Sequence, residues 1–170
     1  LPPPTARSVV LEILLQREEP GDFLEHRLDR IPGMLSLSEG DRRLAREIAF
    51  GVLRNRSALD HMISSRTDGR PQRPVLRGIL QMGVYQLLFL DRVPDHAVVN
   101  EAVVLARLRG FSAQSGFVNA VLRGITREKD VCRHALHALR TQDAALGWSH
   151  PNWLVQRWVG VLSEGDLQRL

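Results

Sequence analysis

The chain has a single cysteine, Cys132, so it can form no internal disulfide and no cysteine-rich zinc framework. Lysine is almost absent as well, the basic side chains being 22 Arg and one Lys. Aromatic residues make up only 5% of the chain, and most of them fall on apolar helical faces, so stacking on nucleic-acid bases is not the expected mode of binding. No run approaches the roughly 18 consecutive apolar residues that cross a bilayer, and Leu1 to Thr5 lacks the layout of a signal peptide. The expectation is a cytoplasmic protein with no membrane partner. Strict apolar–polar alternation nowhere survives beyond a few residues, which argues against β-strands.

What is present is helical periodicity. With 170 residues and 44% hydrophobic content, the chain suits one packed domain with some extra chain. The fold class expected is all-α, a bundle of about six to seven helices with a C-terminal helical extension. Thr5 is placed to cap a first helix through Val9, Val10, Ile13 and Leu14, and a shorter helix runs from Asp22 towards Arg30. Pro32-Gly33 opens a loop, and Ser38 caps a long helix reaching Ser65. Thr67 to Pro74 reads as a linker. From Val75 to Leu90 the chain is apolar nearly all round, which predicts a central helix in which Gly78 and Gly83 admit close neighbours. Asp95 and Ser112 are candidate caps for two more helices, ending near residue 130. Phe and Tyr85 are assigned to the core, and Asn100 and Asn119 to structural roles. Residues 131–147 are weakly patterned. Trp153, Leu154, Trp158 and Leu162 then form a short amphipathic stripe that either folds back on the domain or needs a partner surface. The expected division is therefore residues 1–130 as a helical domain and 131–170 as a linker with further helices.

Charge is unevenly spread. Residues 40–80 hold nine Arg and four acids, a net of +5, whereas the remainder has 14 basic and 15 acidic residues. Guanidinium groups grip phosphate with two parallel hydrogen bonds, so a localised excess reads as a footprint for a polyanion. The candidate phosphate-binding residues, which become candidate RNA-binding residues under the resemblance given below, are Arg42, Arg43 and Arg46 at the start of the Ser38-capped helix, where first-turn N–H groups also favour an anion. To these are added Arg66, Arg70, Arg73 and Arg77 around the linker, and Arg7 on the first helix. No catalytic residue is assigned: a Ser/His/Asp triad finds no support in the spacing. Cys132, His134 and His137 have a superficially metal-like spacing but no fourth ligand in view, so no metal site is assigned.

Four motifs in order then carry a resemblance. Ala49-Phe50-Gly51-Val52-Leu53-Arg54 followed by Leu59-Asp60, the helix from Leu76 to Leu87, Pro94 to Glu101, reading PDHAVVNE, and Gly116 to Arg123, reading GFVNAVLR, resemble the signature segments of NusB-like domains. Such domains occur as a stand-alone transcription antitermination factor that binds RNA with a ribosomal protein, or fused ahead of a methyltransferase. His150-Pro151-Asn152-Trp153-Leu154-Val155-Gln156-Arg157-Trp158 resembles the opening of the RsmB/Sun (Fmu)-type catalytic region, which favours the fused form.

The resemblance implies an RNA-binding accessory domain for cytosine-5 methylation of small-subunit rRNA. Its partners would be that rRNA and its own catalytic domain, which would hold S-adenosylmethionine; a homodimer is also open. This chain shows no glycine-rich cofactor loop, and Cys132 follows Val131 where the family's catalytic cysteine follows proline. A stand-alone antitermination factor and a helical protein-interaction module are the competing readings.

Overall fold

The stretch that is apolar on nearly every face forms the axis of the molecule. In the computed structural model, which describes residues 3–17, 20–159 and 161, that stretch is a helix over Pro74–Phe89 with twelve of its sixteen residues buried. In chain order the helices are α1 (Ala6–Leu15), α2 (Leu24–Arg30), α3 (Pro32–Leu35), α4 (Glu39–Arg54), α5 (Arg56–Ser64), α6 (Pro74–Phe89), α7 (Asp95–Leu108), α8 (Ser115–Arg127), α9 (Lys129–Gln142), α10 (Ala144–Gly147) and α11 (Asn152–Val159). There is no strand among the described residues, and the all-α expectation holds. Helices α1, α4, α5, α7, α8 and α9 all pack on α6.

Close approach explains the two glycines of α6. A Cβ at Gly83 would lie 2.7 Å from Leu122 of α8, and one at Gly78 would lie 2.9 Å from Leu11 of α1. Helices can approach this closely only where one of them carries no side chain, and the lost helix propensity of about 1 kcal/mol per glycine is offset by dispersion attraction between the closely packed helices. The expected caps on the first and fourth helices form. The Thr5 hydroxyl accepts from the Ser8 amide while the Ser8 hydroxyl accepts from the Thr5 amide, and the Ser38 hydroxyl accepts from the Asp41 amide.

Elsewhere the structure corrects the reading. Pro32-Gly33 does not open a loop; proline sits in the first turn of α3, where its missing N–H costs nothing. The long helix expected from Ser38 to Ser65 is two helices, broken at Asn55, whose backbone leaves helical geometry and whose side-chain amide donates to the Gly51 carbonyl. Asp95 is the first residue of α7, not its cap, and its carboxylate pairs with Lys129. Ser112 opens a 3-10 turn with no side-chain cap. Phe23 is 66% exposed, unlike the other phenylalanines, which pack against the core. Asn100 is exposed, and Asn119 accepts from Arg123.

Residues 131–147 are ordered by tertiary contacts that their own pattern barely shows. Cys132 and Leu136 of α9 are buried against the body, Lys129 pairs with Asp95, and Arg133 donates to the Leu88 carbonyl and pairs with Asp91. In the last turn of α9, Arg140 lies over the ring of Trp148 at 4.0 Å and the ring of Phe89 at 5.7 Å, and donates to Oδ1 of Asn55. Burial lowers the Arg140 pKa, and the two rings supply the attraction that a carboxylate would otherwise give.

Ser149, held at a φ of 58°, accepts from the amide of Ala58 at 3.0 Å and so caps α5 from 91 residues away, the side chain of Asn55 being engaged elsewhere. Replacing Ser149 by alanine is expected to cost about 1 kcal/mol, the usual worth of an N-cap. It would appear as a lower urea midpoint at unchanged slope, and an unmoved midpoint would refute the cap.

Helix α11 buries none of its residues; Trp153 is 65% exposed, and His150 meets Trp158 edge to face. Leu162 lies outside the described residues.

Candidate nucleic-acid interface

The eight arginines singled out by the sequence lie in two places along α6. Arg7, on α1, donates from Nε to Oε1 of Gln86 near the C-terminal end of α6. Arg73 and Arg77 sit at its N-terminal end. Gln86 and Arg77 are nine residues apart, about 14 Å along a helix axis.

At the first place, Arg7 is half-buried. Burial lowers its pKa, opposed by Glu101 and by Asp41 at the start of α4. The fully buried Gln86 has its other amide group on the Met82 carbonyl, so it is committed to fixing the Arg7 guanidinium. On α4 itself, Arg43 pairs with Glu39 and Arg46 pairs with Asp29 of α2 at 2.5 Å. Arg42 is exposed, with no hydrogen bond or ion pair from its side chain. The first turn of α4 carries Glu39 and Asp41 besides the Ser38 cap, so its positive end is already partly answered by its own acids.

At the second place the linker is more ordered than its composition suggests. Asp68 and Gly69 both take positive φ, the Gly69 amide reaches the Ser64 carbonyl, and the buried Thr67 hydroxyl donates to the Ile63 carbonyl, closing the end of α5. Arg70 projects from this turn, exposed and unpaired. Arg73 lies 5.9 Å over the Phe111 ring. Arg77 donates from both Nε and Nη2 to Asp60, whose carboxylate also accepts from Gln81. That hydrogen bond raises the Arg77 pKa, with burial acting against it. Arg56, Gln72, Arg77 and Gln81 line a depression of about 210 Å³ at the start of α6. Arg66 points inward to Glu128 at 2.7 Å and to Sγ of Cys132 at 3.1 Å, tying α5 to α8 and α9. Burial raises the Cys132 thiol pKa, with Arg66 opposing.

The linear charge excess is therefore reduced in space. Arg43, Arg46 and Arg66 draw their acids from Glu39, Asp29 and Glu128, all outside residues 40–80. Arg42, Arg54 and Arg70 keep exposed, unpaired guanidinium groups. Arg54 was not singled out by sequence reasoning, because it sits inside a motif read for its fold. Arg17, Arg92, Arg127 and Arg157 are likewise exposed and unpaired beyond that segment. No helix among the described residues is long and apolar enough to cross a membrane.

Among known protein families, the NusB family matches residues 4–127. Among individual proteins, the chain is 33% identical over 160 residues to the probable ribosomal RNA small subunit methyltransferase B of Bacillus subtilis (strain 168), covering 91% of this chain and 34% of that protein. It is 35% identical over 171 residues to the probable ribosomal RNA small subunit methyltransferase B of Synechocystis sp. (strain ATCC 27184 / PCC 6803 / Kazusa), covering 98% of this chain and 37% of the relative. With the ribosomal RNA small subunit methyltransferase B of Escherichia coli O157:H7 it shares 32% over 154 residues, which are 89% of this chain and 34% of the relative. The chain thus spans about a third of the length of these relatives.

Proposed function

The chain belongs to the NusB family, and from that premise we propose that it is an RNA-binding domain that docks small-subunit ribosomal RNA for cytosine-5 methylation by a catalytic domain elsewhere in a longer protein. The observation that carries the reading is the pair of exposed, unpaired guanidinium groups of Arg42 and Arg70, on the segment holding the positive excess of the sequence. Phosphate contacts of this kind position an RNA without reading its sequence. The names of the relatives supply the target, since each is named as a ribosomal RNA small subunit methyltransferase or a probable one.

S-adenosylmethionine belongs to the proposed catalytic domain. The described part of this chain has no strand from which a glycine-rich cofactor loop could lead into a helix, so none of its residues is assigned to the cofactor. Residues 131–170 would lead towards that domain, with the exposed face of α11 as the first surface it meets. Arg7, Arg42, Arg43 and Arg46 form one half of the proposed contact surface, and Arg70, Arg73 and Arg77 the other. Arg66, turned inward, supports the second half by fixing α5.

Binding of the 170-residue chain to a small-subunit rRNA fragment across a salt series tests this. The expected result is affinity in the micromolar range that falls with salt. Replacing Arg42, Arg43 and Arg46 together by alanine should flatten the log–log slope by about one if Arg42 alone meets phosphate, and by up to about three if all do. No binding at low salt would remove the RNA-docking role and leave a domain that serves its protein partner instead.

A further inference from the structure

Arg27, on α2, is 5% exposed, and its side chain makes one hydrogen bond, from Nη2 to the Ile13 carbonyl at 2.9 Å. Among the described residues no carboxylate lies within 4.0 Å of it. The other enclosed cations of the body are answered: Arg66 by Glu128, Arg109 by Glu12, Lys129 by Asp95, Arg140 by two rings and Asn55, Arg7 by the buried amide of Gln86. An arginine cannot shed its proton, and a buried charge without a counter-charge is costly. One carbonyl engages one of five N–H donors.

The remaining donors have an outlet. Arg27 lines a pocket of about 330 Å³ between the end of α1, α2 and the start of α3, together with Glu12, Gln16, Arg30 and Ile31. Among the described residues no fully enclosed side-chain nitrogen lacks a partner. The unbonded nitrogens of Arg27 are therefore those that solvent reaches. Among the described residues, Glu12, the carboxylate lining the pocket, is paired with Arg109 at 2.5 Å, and nearby Asp22 is paired with Arg30. Among the described residues lining the pocket, the uncompensated charge is that of Arg27. We infer that this pocket binds a phosphate group. A fixed guanidinium fork matches two phosphate oxygens, while Arg30 and the side-chain amide of Gln16 add donors at the rim.

This site is separate from the surface proposed above and does not rest on it, so either can fail alone. The direct test follows the arginine Nε–H resonances of the ¹⁵N-labelled chain during titration with inorganic phosphate, against sodium chloride at matched ionic strength. The Arg27 resonance is expected to shift saturably with phosphate, with a Kd of about 1 mM, and not with chloride. Arg27→Met should abolish the phosphate-dependent rise in Tm. Should that variant fail to fold, Arg30→Ala and Gln16→Leu, both at the rim, should each weaken phosphate binding several-fold. An Arg27 resonance that does not saturate with phosphate, that responds equally to chloride, or that is indifferent to both rim variants overturns the site. Adding a short rRNA oligonucleotide separates the sources: competition with phosphate identifies a backbone phosphate as the natural occupant, and absence of competition identifies a free phosphate.

Discussion

Gly51→Ala is expected to cost the domain more than about 3 kcal/mol, the upper end of overpacking effects, and to leave little folded protein at 37 °C. A Cβ built on Gly51 would sit 1.9 Å from Cζ and 2.2 Å from Oη of Tyr85. That ring is confined, being 9% exposed and stacked on Phe89 at 5.1 Å. Relief would require α4 to move away from α6, and with it the guanidinium groups of Arg42 and Arg46. The decisive comparison is a double-mutant cycle with Tyr85→Ala. Truncating the ring alone costs a cavity, but combined with Gly51→Ala the new methyl occupies part of the space, so the double variant should be less destabilised than the sum of the two. Additive losses in urea, or a single variant with an unchanged midpoint, would show that the ring is free to yield.

This contact also shows how far the sequence could be read. The axis of the fold was legible because α6 is apolar on almost every face, and a helix of that kind has to be central. Glycines within such a helix were legible as places of close approach. Gly51 was quoted only as part of a motif, because its reason is a ring 34 residues away. The break at Asn55 was hidden for a similar cause. Val52, Leu59 and Met62 keep a helical rhythm across it, while what ends α4 is a side-chain amide turned back on Gly51 and held in place by Arg140, 85 residues on.

Charge was read least well, because counting along the chain assigns each arginine its sequence neighbours as company. Arg46 instead meets Asp29, and Arg66 meets Glu128. Arg27 drew no attention on a short polar helix, yet it is the most deeply buried arginine among the described residues. Periodicity reports which apolar residues turn inward; it is silent on a guanidinium drawn in by a carbonyl.

The segment from Asp143 to His150 carries the second large effect. Gly147→Ala places a Cβ 2.5 Å from Cα and 2.6 Å from the backbone N of Arg140, and 2.9 Å from the carbonyl carbon of Leu139. Backbone cannot rotate aside as a side chain can, so α10 must lift from α9. The attachments that depend on that contact then fail together: the Trp148 ring leaves Arg140, and the Ser149 hydroxyl leaves the Ala58 amide. The expected loss is about 2 to 3 kcal/mol, larger than the cap alone because Arg140 stays half-buried without the nearer of its two rings.

Much of that loss should be local, since the body retains its core around α6. Amides of residues 144–150 should exchange faster, and limited proteolysis should cut between α9 and α11 while residues 6–127 remain protected. RNA affinity and its salt slope should stay as in the parent chain, because Arg42 lies on α4 and Arg70 in the turn beyond the C-terminal end of α5, whereas Ser149 caps the opposite end of that helix. Unchanged protection of residues 144–150 would mean that α9 can yield to the methyl. A loss of RNA affinity in the same variant would instead show that the start of α5, capped by Ser149, or α9, which holds Arg66 through Cys132, supports the binding surface.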